Sequence, residues 1–514
     1  MKKNDSKKEG SFPSDGISRR DFLNCMGATA LASTALGRLS WAKVKDENNE
    51  GQLEIACIPL IVQPVLTYST PKRRHQRSWR SWGGIQTQQD AEEEGARIRG
   101  ELAAIKAGAD FPLEIKPLMG IRSRDEALKL RNSQDVDVFL IYAAGGWMDI
   151  FNAIHEHGKD MIFFCRHRSG PVYLWYEIIS PRYLRQHTDT LSLEGVNQDD
   201  VVIDSQDGIL WRLRALCGLK NAKNTRILAV GGPGAWAQPD EVVPDLVRKK
   251  WGYDIQTVTY KELGALIKEA RMDKEAVQRA RMRAEDYCQD RHVRLETKRE
   301  FVDNAFLLED VFKSLMNKAE CRAVTIKGCM GTIMPLAETS ACLTLSVLND
   351  SGYLAFCESD FVVIPAGILL AGISGRPVFL NDPTFPHNRV ITLAHCTAPR
   401  RMDGKKLEPV RILTHFESDY GAAPKVEMKK GQALTNIIPD FESEKWLGLP
   451  GEILDSPFMD ICRSQIDVGF KYSSRQLAEK MQGFHWMTGY GFYFQELGYA
   501  LRRVGIKWEV LNAV

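Results

Sequence analysis

The chain carries almost no net charge, with 68 Lys and Arg against 66 Asp and Glu in 514 residues. A balance this even gives no electrostatic reason to expect nucleic acid or an anionic membrane surface as a partner, and leaves small or neutral ligands open. No two of its 11 cysteines form a CxxC pair. Most lie in or beside apolar strand-like runs, where a free thiol behaves as a small buried hydrophobe, so a disulfide framework is not indicated. No apolar run is long enough to serve as a stable membrane anchor. No repeat or low-complexity tract interrupts the folded part. What remains is an ordinary globular composition, 44% hydrophobic and 26% charged, enough to bury large cores in about two to four domains.

Residues 1–50 stand apart from the rest. A Lys-rich start leads to Ser18, Arg19, Arg20, Asp21, Phe22 and Leu23 and then to the short apolar run NCMGATALASTALG. This resembles a twin-arginine export signal, with small residues at Ala30-Leu31-Ala32 for the peptidase. Cys25 sits near the start of the run, which argues against a lipoprotein site. The resemblance implies a periplasmic or exported protein that meets the twin-arginine export machinery already folded, with its cofactor or oligomeric form acquired beforehand. A disordered basic tail is the alternative reading.

From residue 51 apolar strands alternate with amphipathic helical patterns. LEIACIPLIVQPV, FPLEIKPLMGI, DVDVFLIYAAGG and DMIFFCRH read as strands, and AEEEGARIRGELAAIKAGA and SRDEALKLRN as helices. Strands apolar throughout and separated by helices indicate a parallel sheet covered on both faces. The expected fold is α/β: a doubly wound, Rossmann-like domain over residues 51–180, a second over 181–340, and a β-rich, barrel-like C-terminal domain with closing helices over 341–514. In the second, AVGGPGAW has Gly231, Gly232 and Gly234, but Pro233 interrupts the pattern and the third glycine of a dinucleotide fingerprint is missing. A strand followed by a tight glycine turn is the reading adopted.

The segment GYLAFCESDFVVIPAGILLAGISGRPVFLND places an acid after each of two apolar strands, Tyr353–Cys357 and Arg376–Leu380. If both strands belong to one parallel β-α-β unit, Glu358 and Asp382 emerge at the same sheet edge, where open α/β sheets bind ligands. Two carboxylates beside apolar walls need a shared proton, cationic partners or a metal. Asp360 adds a third acid, and His395, His415 and His485 follow downstream. His395 ends the strand ITLAHC, and His415 reads as structural. His485, in MQGFHWMTGYG, suits either a pocket floor or a satisfied core.

Together these residues carry a resemblance. Glu358 and Asp382 spaced across a small-residue helix, then the AHC strand, THFESDYGAAPKV and the late histidine of FHWMTGYG, look like the L-fucose and L-arabinose isomerase superfamily. The specific part covers about residues 340–500. In the fucose isomerase branch a Glu, an Asp and a late His hold a divalent cation, usually Mn²⁺. The matching positions are Glu358, Asp382 and His485, with His395 as the nearest match to an extra histidine of the arabinose branch. Asp360 is either a partner of these ligands or the start of the helix. The late ligand stands in Phe484-His485-Trp486, where that branch commonly has paired histidines.

The resemblance implies an aldose-ketose isomerase with Mn²⁺ or another divalent cation such as Mg²⁺, acting on a sugar or modified sugar through an enediolate. Glu358 and Asp382 would be its catalytic pair, and the protein a homo-oligomer, trimer or hexamer. Trp82, Trp147, Trp486 and Tyr490 are candidate aromatic faces for sugar binding, Trp486 and Tyr490 foremost. An exported carbohydrate-binding protein without catalysis is the alternative, and a nicotinamide oxidoreductase rests on AVGGPGAW alone.

Overall fold

The computed structural model describes residues 58–132, 135–146, 148–174, 184 and 196–512. The export-signal reading of residues 1–50, Cys57 and Trp147 lie outside the described residues. Among the described residues three larger sheet systems follow one another along the chain, with a small fourth sheet beside them. The first contains β1 (Leu60–Thr67), β2 (Leu113–Ile115), β3 (Met119–Ile121), β4 (Val138–Ala143), β5 (Asp160–Cys165) and β6 (Val201–Ile203). Its order is β2-β1-β4-β5-β6, with β3 also on β1, and every pair is parallel. Strand β4, VFLIYA, is buried at all positions, as a strand covered by helices on both faces must be. The long helix Gln88–Gly108 starts on a reciprocal cap, in which Thr87 accepts from the Asp90 backbone and Asp90 accepts from that of Thr87, satisfying two otherwise orphaned donors.

The second sheet takes β7 (Arg226–Val230), β8 (Asp254–Val258), β10 (Ala323–Ile326) and β11 (Leu354–Phe356), all parallel, in the order β11-β10-β7-β8. Strand β11 lies past residue 340, so this sheet draws on both sides of the boundary expected there. Between β8 and β10 the chain makes three helices and the short β9 (Val293–Leu295). That strand joins β14 (Val410–Leu413) and β15 (Ala423–Val426) in a separate three-stranded sheet.

The third system is a closed antiparallel barrel. Its strands are β12 (Phe379–Pro383), β13 (Val390–His395), β16 (Ala433–Ile438), β17 (Lys445–Asp455), β18 (Ser464–Gly469) and β19 (Trp486–Tyr490). They run β16-β19-β12-β13-β18-β17, and β17 pairs back to β16; β20 (Lys507–Val510) adds to β17 in parallel. Closure removes the open edges that invite aggregation. One expectation is corrected here. Strand β12 does not lie beside β11 in a parallel sheet; it is a barrel strand, antiparallel to β13 and β19. Phe379 and Leu380 therefore find their partners in residues more than a hundred positions later.

The helix between them, Ile364–Ser374, is apolar on all sides and almost wholly buried, as an all-round hydrophobic helix must be. It is wedged between the second sheet and the barrel, and its small residues make the wedge possible. A Cβ on Gly367 would lie 2.6 Å from a Phe356 ring carbon and 2.7 Å from the Met487 methyl. On its other side it meets the helix Gln206–Ala222, where a Cβ on Gly218 would lie 2.4 Å from Cγ1 of Ile373 and 2.9 Å from its backbone nitrogen. Among the described residues no helix is long and apolar enough to cross a membrane.

Gly218→Leu is expected to force these helices apart and to cost about 3 kcal/mol of stability, read as a lower urea midpoint. Gly100 sits inside the helix Gln88–Gly108 with open space where a Cβ would go. Gly100→Ala is therefore expected to raise stability by about 0.5–1 kcal/mol, and the opposite signs test the packing argument.

Candidate metal centre

Four segments meet where the C-terminal edge of the second sheet abuts the barrel. After β11 the chain passes through Glu358 at φ +64° and Ser359 at φ +44°. Two successive non-glycine residues in the left-handed region cost of order 1–3 kcal/mol each and persist only where surrounding structure holds them. Asp360 supplies that hold. Its backbone bridges Gly234 in the loop after β7, the Phe361 N–H donates to the Gly234 carbonyl at 3.1 Å, and Asp360 Oδ1 accepts from the Val362 N–H at 3.1 Å. The barrel contributes Asp382 from β12, His395 from the end of β13 and His485 from the residue before β19.

His485 is at the centre, with no exposed side-chain surface. Its Nδ1 lies 2.7 Å from Oδ2 of the fully buried Asp360. Its Nε2 faces both acids on the open side, 3.4 Å from Glu358 Oε2 and 3.2 Å from Asp382 Oδ1. These separations allow Coulomb attraction, yet His485 Nε2 and Asp382 Oδ1 are buried atoms with no aligned hydrogen bond. His395 turns Nε2 toward Glu358 Oε1 at 3.6 Å, and its Nδ1 meets the Thr397 hydroxyl at 3.0 Å. The two imidazoles lie 6.0 Å apart, nearly edge to face.

The electrostatics follow from this crowding. Burial opposes a charge on His485, but its hydrogen bond to Asp360 and the close carboxylates of Asp382 and Glu358 outweigh that and raise the imidazole to about 11. Burial likewise opposes a charge on His395, and Glu358 and Asp382 more than offset it, so its pKa also rises. For Glu358 burial works against ionisation, and the imidazoles of His395 and His485 beside it still hold its carboxyl well below the usual range. Burial pushes the neighbouring Cys357 thiol far up, and the Glu358 charge adds to it, which leaves a neutral, unreactive sulfur.

The donor atoms of Asp382, His395 and His485 all lie within 4.8 Å of one another, as do those of Cys357, Glu358 and His395. The Asp382, His395 and His485 group, in which both histidines are buried, could hold a metal ion. Oxygen and imidazole donors with unsatisfied atoms turned inward suit a cation, and a carboxylate on the far nitrogen of His485 is the usual way a ligating histidine is oriented. The structure thus brings together Glu358, Asp382, His395 and His485, with Asp360 behind His485. Glu358 stands beside both histidines but outside the tight group that contains Asp382.

The expected aromatic faces lie elsewhere. Trp486 is fully buried in the barrel core and Tyr490 is 2% exposed, with its hydroxyl on the Glu408 carboxylate at 3.0 Å. Stacking a sugar needs an open ring face, and neither residue has one. Trp82 is exposed on a loop of the first sheet. His415 meets the Ser418 hydroxyl at 3.2 Å and belongs to neither donor group.

The rings that do flank the centre are Trp236 and Phe484, 46% and 42% exposed. Trp236 lies 5.4 Å from the Phe484 ring and 6.4 Å from His485. Sequence reasoning passed over Trp236, although it follows a strand of the sheet that delivers Glu358. Its signal was the AVGGPGAW turn itself, read as a turn without asking which edge it occupies.

No family model matches the chain, and no curated protein matches it. Among solved structures, a carbohydrate transporter from Acidothermus cellulolyticus in complex with myo-inositol aligns at 12% identity and a TM-score of 0.15. The alignment covers 62% of this chain and 89% of that one. An ABC transporter periplasmic solute binding protein from Actinobacillus succinogenes with bound D-allose aligns at 10% identity and a TM-score of 0.14, over 62% and 92%. Likeness at this level carries no argument about fold or ligand.

Asp360→Asn is expected to weaken divalent cation binding by about 10–100-fold, because the His485 ring loses its orienting charge. Nε2 must shed its proton to accept a cation, so below pH 11 uptake releases protons and strengthens by up to about tenfold per pH unit. In the metal-free chain that proton stabilises the fold, fully below about pH 6.5 and progressively less as pH climbs toward 11. Calorimetric titration in buffers of different ionisation enthalpy measures the release; a pH-independent affinity would exclude His485 as a ligand.

Proposed function

We propose that the chain is a metal-dependent aldose-ketose isomerase of the fucose and arabinose isomerase type, acting on a sugar or modified sugar. The observation that carries this reading is His485 Nε2 poised between the carboxylates of Glu358 and Asp382, with Nδ1 tied to Asp360. Glu358, Asp382 and His485 would hold the cation, with His395 beside them; Mn²⁺ is the proposed ion, and Mg²⁺ suits the same oxygen-rich donors. When bound, the cation supplies positive charge next to the sugar's O1 and O2, where the intermediate's negative charge develops.

The chain's own groups divide the remaining work. Isomerisation moves one proton from C2 of the aldose to C1 of the ketose, while another passes from O2 to O1. One carboxylate of the Glu358 and Asp382 pair removes the C2 proton as base, and the other handles the hydroxyl proton. Both are about one-third exposed, 30% and 33%, so substrate reaches them while His485 stays sealed behind. Glu358 remains ionised at neutral pH, as a resting base must be. Trp236 and Phe484 offer apolar surface at the rim for the C–H face of the ring. Export by the twin-arginine route and a trimeric or hexameric assembly belong to the same proposal.

The test is a panel of aldoses incubated in D₂O with Mn²⁺-loaded protein. Ketose carrying solvent deuterium is the expected product, and Glu358→Gln should lower turnover by about 10²–10⁴-fold. A chain that retains no divalent cation, or a Gln variant as active as its parent, overturns the proposal. Sugar binding without metal and without exchange would instead identify a carbohydrate-binding protein.

A further inference from the structure

The near-neutral total conceals a strongly uneven surface. Between residues 69 and 89 there is no acid, and Lys72, Arg73, Arg74, Arg77 and Arg80 fall within nine positions. All five are exposed. They occupy the loop that leaves β1 at its C-terminal end, the edge at which open α/β sheets receive ligands. The loop is pinned at its base rather than free-hanging. The hydroxyls of Ser69 and Ser81 meet at 2.7 Å, the Gln86 amide donates to the carbonyls of Ser81 and Gly83, and the Gly84 N–H donates to the Val172 carbonyl at 2.8 Å.

The loop after β5 brings a further cation to the same edge. Asp204, at the end of β6, accepts from the backbone N–H groups of His167, Arg168 and Ser169 and from the Ser169 hydroxyl. That carboxylate is therefore spent on holding the loop, with exposed Arg168 carried on it. Lys72, Arg73, Arg74, Arg77 and Arg168 make no ion pair or side-chain hydrogen bond among the described residues. This contrasts with the arginines that serve the fold, such as Arg166, which is buried against Glu94 and Glu101. Arg80 lies over the Trp79 ring at 5.2 Å, whereas Trp82 is 69% exposed.

A row of unpartnered cations costs stability through mutual repulsion and gains it back only against a polyanion. We propose that this edge of the first sheet binds an acidic polysaccharide, with the Lys72–Arg77 cluster and Arg168 meeting its carboxylates and Trp82 stacking on a pyranose ring. The choice of a saccharide rests on the sugar reading of the metal centre. It rests also on the aromatic supply of the loop: Trp79 is covered by its own arginine, so among the described residues of this loop one free tryptophan ring remains, whereas a single nucleic-acid strand is held by successive stacking rings.

Fluorescence anisotropy on the full chain, with labelled polygalacturonate oligomers as probe, tests this. Binding is expected to weaken as salt rises. The variant carrying Lys72→Ser, Arg73→Ser, Arg74→Ser and Arg77→Ser is expected to lose at least about tenfold in affinity with a melting temperature no lower than its parent's, since the loop is exposed and the substitutions relieve repulsion. Neutral dextran should not compete. The proposal is overturned if the fourfold variant binds as its parent does, if dextran competes equally, or if a single-stranded oligonucleotide or anionic vesicles bind more tightly at the same salt. Glu358→Gln is expected to bind polygalacturonate normally, so failure of the isomerase proposal and failure of this one are distinguishable.

Discussion

The buried bond between His485 and Asp360 joins residues 125 positions apart at 2.7 Å, and it ties the barrel to the edge of the second sheet. Neither side chain has exposed surface, so each neutralises a charge that the other would leave stranded in a dry interior, and losing one member of such a pair is strongly destabilising. The bond also fixes which nitrogen of His485 faces outward. From that follow the convergence of Glu358 and Asp382 on Nε2, the raised imidazole and the depressed carboxyl. The left-handed backbone at Glu358 and Ser359 is held in place by the Asp360 anchor that follows it.

Behind this bond stands a packing constraint. The sheet and the barrel approach closely enough for Asp360 and His485 to meet because the helix Ile364–Ser374 is slim as well as apolar. Phe356, Met487 and Ile373 occupy the spaces that side chains on Gly367 and Gly218 would need. Hydrophobic burial supplies the attraction and glycine supplies the distance. A bulkier helix would still be buried, but it would separate the carboxylates from the imidazoles they act on.

Charge is distributed by the same logic of pairing. Near the core, cations are matched to specific acids, as Arg166 is to Glu94 and Glu101 and Arg503 to Asp160 and Asp200. At the C-terminal edge of the first sheet, Lys72, Arg73, Arg74, Arg77 and Arg168 have no such match among the described residues. The overall balance of 68 to 66 sums the two populations and hides both, which is why net charge alone points away from any polyanionic partner.

By itself the sequence determined the two parallel α/β layers, the β-rich third part and the acids that end its apolar strands, because these depend on local periodicity and on what a short stretch can bury. Glu358 and Asp382 were legible for that reason, although the route assumed for the two acids was not the one taken, and His485 was singled out only through the family resemblance. Strand pairing is a contest among distant segments. Strand β12 pairs with β19 and β13 instead of continuing the sheet of β11, since closing the barrel satisfies backbone groups that an open edge would expose. Only that closure decided that His395 joins the cluster, that Trp486 and Tyr490 turn into the core, and that Trp236, from a turn far upstream, stands at the mouth. A residue's type is local chemistry, whereas which atoms share its surroundings is fixed by contacts that no short window of sequence contains.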